Sequence, residues 1–94
     1  MNLAKIFADN AEEHRQFDRV TNKRSNRPDL HAFMLLDGLC PGKKDIIASA
    51  SHDEIYLSIE PEELAKVASE EQVVELIRCG IRYDAVCECL QMFV

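Results

Sequence analysis

An α+β domain is the fold this 94-residue sequence predicts: a three-stranded antiparallel sheet packed against helices, with an extra N-terminal helix. Two observations carry that reading. Apolar residues alternate with polar ones at Ile55, Leu57 and Ile59 and again along the last fourteen residues, which is strand periodicity. Between these stretches lie helix start and stop signals, with Pro61 and Ser69 opening helices and Gly80 closing one.

Taken in order, residues 2–21 read as a sparse amphipathic helix, because Leu3, Ile6, Phe7, Phe17 and Val20 form a weak stripe whose middle, Asn10 to Gln16, offers only Ala11 to bury. Lys23 to Pro28 breaks the helix as a basic linker, so residues 1–28 are expected to be mobile or docked on a partner, and 29–94 to form the domain. Asp29 stands where an N-cap would, and the dense apolar run Leu30, Phe33, Met34, Leu35, Leu36 and Leu39 predicts a central buried helix over 30–39. Cys40-Pro41-Gly42 ends it. Asp45 can cap a short helix over 46–50, with a strand as the competing reading.

The turn chemistry of Ser51-His52-Asp53 leads into a strand over 54–59. Helices follow over 61–68, with Pro61 at its first position, and over 70–79, with Ser69 and Gln72 spaced as a capping box. Strands over 81–86 and 89–94, joined by a hairpin near 85–89, complete the sheet, and the last strand is expected at its edge.

Composition bounds the function. The chain is long enough for one core and too short for two, and with no Trp and 6% aromatic residues that core must be mainly aliphatic. The formal net charge is −6, and it is unevenly placed. Residues 53–75 hold eight carboxylates and one Lys, whereas residues 15–27 hold five cations and Asp18. A negative field disfavours nucleic acid and membrane surfaces and steers a basic protein inwards. Neither a secretory signal nor an apolar run of spanning length is visible, so the expectation is cytoplasmic, with Cys40, Cys79, Cys87 and Cys89 as free thiols.

Four segments together resemble small accessory proteins of tailed bacteriophages: His52-Asp53-Glu54-Ile55-Tyr56-Leu57, Glu63-Leu64, Leu76 to Asp84, and Leu90-Gln91-Met92-Phe93-Val94. The resemblance covers roughly residues 30–94 and implies a bacterial cytoplasmic setting and binding to a host or anti-phage defence protein. It carries over no catalytic or ligand residues.

No reactive constellation stands out. There is no phosphate-cradling glycine loop, no nucleophile elbow and no zinc-protease helix motif, so an enzyme is not expected. His52-Asp53-Glu54 reads as a turn rather than an acid–base cluster. Cys87-x-Cys89 with Cys79, Cys40 and His31 or His52 could make a zinc-stabilised module, but paired C-x2-C knuckles are absent, a continuous strand would hold the two thiolates apart, and no metal or cofactor is expected.

The candidate protein-binding surface is the acidic set Glu62, Glu63, Glu70, Glu71 and Glu75, suited to a basic protein partner. The competing surface is a phosphate-contacting arm of Arg15, Arg19, Lys23, Arg24 and Arg27, belonging to a nucleic-acid-associated factor. A homo-oligomer, assembled through the N-terminal helix, is a further expectation, and capture of a small molecule by such an oligomer stays open.

Overall fold

A computed structural model describes residues 1–93. Helices α1 (Leu3–Asp9), α2 (Pro28–Leu39), α3 (Pro61–Val67) and α4 (Glu70–Arg78) accompany strands β1 (Ile47–Ala50), β2 (Glu54–Leu57), β3 (Ile81–Asp84) and β4 (Cys89–Phe93). The strands form a four-stranded antiparallel sheet in the order β1-β2-β4-β3.

The fourth strand corrects the expected three-stranded sheet. Residues 47–50 are not a short helix: they pair with β2, and the turn between them closes through the Ser51 amide donating to the Glu54 carbonyl at 2.8 Å. Ser58 fixes the other end, its amide donating to the Ile46 carbonyl at 2.8 Å and its hydroxyl to the Asp45 carbonyl at 2.7 Å. A five-residue helix has too few internal hydrogen bonds to offset its nucleation, whereas a ladder satisfies this backbone at once. The last strand is not an edge either, since β4 lies between β2 and β3 and the edges are β1 and β3. Val94, expected in that strand, lies outside the described residues.

The single helix expected over 2–21 is replaced by α1 and two short 3-10 turns, Ala11–Glu13 and Phe17–Arg19. Asn10 ends α1 by placing both its amide and its side-chain Nδ2 on the Ile6 carbonyl, at 3.1 and 2.9 Å. Arg15, at φ 65°, then turns the chain so that its amide donates to the Ile77 carbonyl of α4 at 3.1 Å. Leu3, Ile6 and Val20 consequently share one hydrophobic core with Leu36, Leu64, Leu76, Ile81 and Leu90.

Asp29 does not cap α2. Arg27 occupies the N-cap in an extended conformation, Pro28 takes the first helical position, and the Asp29 carboxylate accepts only from the Leu30 amide, at 2.9 Å. Pro28 restricts its predecessor to extended backbone, which moves the helix start two residues earlier than expected. Nor is α2 buried all round: Ala32, Leu35 and Leu36 are inside while Leu30 and Met34 are exposed. On α4 the capping box forms in full, with the Gln72 amide donating to Ser69 Oγ at 3.1 Å and the Ser69 amide to Gln72 Oε1 at 2.9 Å.

Register sorts the sheet into two faces, because side chains alternate along each strand. Ile55 pairs with Met92, Ile81 with Met92 and Tyr83 with Leu90, so these residues share the core face, where Phe7 of α1 meets the Tyr83 ring at a centroid distance of 6.1 Å. The other face presents Glu54, Tyr56, Arg82, Asp84, Cys89, Gln91 and Phe93, of which only Gln91 is buried.

Candidate functional site

The helices do not close completely over the core face of the sheet. A cleft of about 650 Å³ remains between residues 14–17, the start of α2, the end of α4 and the sheet. Its apolar walls come from Phe17, Phe33, Ile47, Ile55 and Met92. Its polar groups are His14, Arg15 and Arg78, with Asp29 as the one carboxylate among its lining residues. The volume lies within the ~300–1,000 Å³ range typical of small-ligand sites.

Local structure positions each cation. The left-handed turn at Arg15 aims residues 14–17 back at α4, and the Arg15 side chain passes 3.7 Å from where a Cβ on Gly80 would stand. Gly80 itself has φ +104°, a conformation that lets the chain leave α4 directly into β3. Arg78 is held by Glu13, whose Oε1 accepts from the Arg78 Nη2 at 3.0 Å, while the buried Arg78 Nε has no partner among the described residues. Glu13 also accepts from Arg19, and hydrogen bonding to Arg78 first, then to Arg19, holds its carboxyl below the usual carboxylate range.

The electrostatics of the cleft are read most directly at His14. Burial lowers its pKa, and the charges of Arg82 and Arg15 lower it further. Of these two guanidiniums, that of Arg15 shares the cleft with His14, while Arg82 reaches it from outside the cleft lining. Lys23 adds a cation 5.1 Å from the Phe17 ring centroid, while on the opposite face of the sheet Arg82 lies over the Phe93 ring at 4.6 Å.

Of the expected phosphate arm, Arg15 lines the cleft and Lys23 stands beside it. Arg19 is tied to Glu13; Arg24 donates to the Met34 carbonyl at 3.3 Å, and Arg27 serves as backbone cap of α2. His14 and Arg78 were missed by sequence reasoning. Only the chain reversal at Arg15 joins them, and an isolated His or Arg carries no signal of such a neighbour.

The carboxylates of the expected acidic surface differ in their surroundings. Glu75 is engaged by buried His31, with Nε2 to Oε2 at 2.7 Å. Glu63 pairs with Lys66 at 3.4 Å and its charge acts on Cys40, Glu62 lies beside Asn2 and Tyr83, and Glu70 acts on Lys5. Glu62, Glu63, Glu70 and Glu71 are all exposed.

The cysteines divide into two kinds. Cys79 is buried, and burial together with the Glu75 charge pushes its thiol up to about 12, while Cys40 is half-buried and also raised by burial. Cys87 and Cys89 are not free thiols held wide on a strand but are joined in a disulfide with Cα atoms 5.4 Å apart. The reason is local: residues 85–88 form the turn, and Glu88 at φ 54° curls the chain so that both sulfurs point together. Cys79, Cys40, His31 and His52 do not join them; Asp84 does.

Among the described residues no helix is long and apolar enough to cross a membrane. Fold and site together define a small α+β domain with an open antiparallel sheet and a cation-rimmed apolar cleft. No protein-family model, curated protein or solved structure matches the chain.

Proposed function

We propose that the protein is a non-enzymatic binding factor whose cleft takes a ligand combining phosphate with a flat apolar group, the chemistry shared by a free nucleotide and the end of a single nucleic-acid strand. The observation that supports it most is the convergence of Arg15, Arg78 and His14 on walls containing Phe17 and Phe33. Guanidiniums bind phosphate through paired donors, and aromatic rings offer a stacking surface to any base. The net charge of −6 weighs against long-range attraction of a polymer, but not against a small anion meeting a local cationic rim.

The test is fluorescence anisotropy with a labelled single-stranded oligonucleotide, competed by mononucleotides, on the full chain at low salt. Arg15→Ala should weaken binding about tenfold, the scale of one lost charge-assisted phosphate contact. Neutralising Arg24 and Arg27 should leave it nearly unchanged. Competition by mononucleotides assigns the free ligand, and its absence assigns the strand. No binding of either at millimolar concentration, or loss only with Arg24 and Arg27, defeats the cleft reading.

A second reading is supported by the exposure of Glu62, Glu63, Glu70 and Glu71. In it the protein is a phage-encoded inhibitor acting in the bacterial cytoplasm on a host or defence protein with a basic surface. Charge reversal of these four residues, leaving Glu75 intact, would abolish capture of that partner from host lysate; retained capture by the reversed chain counts against it.

A further inference from the structure

The β3–β4 hairpin tip carries a cluster that the cleft does not use. Asp84 pairs in register with Cys89, which places carboxylate and thiol on the same sheet face, and the turn returns Cys87 to them. One ligand atom from each of Asp84, Cys87 and Cys89 lies within 4.8 Å of the others. Asp84 Oδ1 accepts from the Val86 amide at 2.8 Å and from the Cys87 amide at 3.4 Å, which fixes the carboxylate's direction and leaves its second oxygen for coordination. The tip is open to solvent, with Val86 96% exposed.

We propose that in its reduced state this tip is a binding site for a thiophilic divalent cation of the zinc class, with the Cys87 and Cys89 thiolates and the Asp84 carboxylate as three ligands and water as the fourth. Tetrahedral zinc takes sulfur at ~2.3 Å and carboxylate oxygen at ~2.0–2.2 Å, which requires the two sulfurs, joined in the disulfide, to separate on reduction and the Asp84 oxygen to close in on them. The exposed turn of residues 85–88 can readjust that far without disturbing the core. Two soft thiolates select zinc-class ions over magnesium or calcium.

Oxidation gates the site. A dithiol reductant delivers two electrons and two protons to the Cys87–Cys89 disulfide, yielding two thiols and an oxidised reductant. Metal binding then displaces the two thiol protons to solvent as two metal–sulfur bonds form.

The experiment titrates the full chain, reduced with a phosphine, with Zn²⁺ alone against a chromophoric chelator, and repeats it with Co²⁺ to read the thiolate charge-transfer and tetrahedral d–d bands. The expected result is one equivalent in the reduced chain and none in the oxidised chain. Cys87→Ser or Cys89→Ser should abolish it, and Asp84→Asn should weaken it about tenfold. Unfolding midpoints of the variants verify that they fold. Failure of the reduced chain to take up metal overturns the proposal, as does uptake unchanged in Cys87→Ser, which would place the ion on Cys40 or Cys79. Uptake insensitive to Asp84→Asn overturns the three-ligand site. None of these outcomes depends on nucleotide binding at the cleft.

Discussion

His31 donates its Nε2 proton to Glu75 across the helix interface, at 2.7 Å, from a position only 1% exposed. The tautomer follows from the opposite nitrogen, since Nδ1 accepts the Arg24 amide at 3.0 Å and so carries no hydrogen. One imidazole thereby joins the segment before α2, α2 itself and α4.

Replacing it should be costly. His31→Ala leaves a cavity, an unpaired Arg24 amide and an unpaired carboxylate, and is expected to lose about 3 kcal/mol in urea unfolding. Glu75→Gln keeps an acceptor for the same proton and should lose about 1 kcal/mol. The double variant should cost less than the sum, because both changes remove one interaction; strict additivity would show that the contact contributes nothing.

Glu13 makes stability pH-dependent. Its carboxyl is held below the usual range chiefly by Arg78, so the folded state binds that proton less readily than the unfolded chain. The resulting stabilisation is complete above the unfolded value near 4.5 and disappears as pH falls through the folded value. Unfolding midpoints measured downward from pH 5 should therefore fall more steeply for the natural chain than for Glu13→Gln.

Gly80→Ala isolates backbone strain. The added Cβ would meet Arg15 Cγ and Met92 Cε at 3.7 Å each, an ordinary contact, yet φ +104° is a conformation an alanine resists. The expected loss is about 1–2 kcal/mol with the structure retained. A neutral result would mean that α4 leaves into β3 with a different backbone.

At the cleft, a bound anion should raise the pKa of His14, which burial and the charges of Arg82 and Arg15 now lower. By linkage the bound state then takes up a proton, and affinity should increase as pH falls toward the lowered pKa of the free imidazole. His14→Gln should flatten that dependence in a titration series; an unaltered slope would place the anion elsewhere.

Local signals with a single competitor were legible in the chain. Ser69 and Gln72 satisfy each other wherever the rest of the protein goes, Gly80 ends α4 through its own backbone freedom, and Pro61 needs no distant partner to begin a helix. Residues 46–50 were ambiguous because their short apolar run suits helix and strand alike; only the backbone of β2 beside them decided the matter. The same holds for residues 10–22, where the helix stripe is too weak to outweigh the contacts Arg15 and Glu13 make with α4.

The sites divide along the same line. The sequence alone determined the charge imbalance, the Cys-x-Cys spacing and the existence of basic residues before α2, all of them properties of neighbouring residues. Tertiary structure decided which of these can act together. It withdrew Glu75 to His31 and Arg19 to Glu13, brought His14 and Arg78 to one cleft, and set Asp84 beside the paired sulfurs. The physical reason is that ionic and coordination chemistry depend on distance in space, and pairings between residues far apart in the chain, such as 13 with 78 or 31 with 75, arise only when a core buries the surfaces between them.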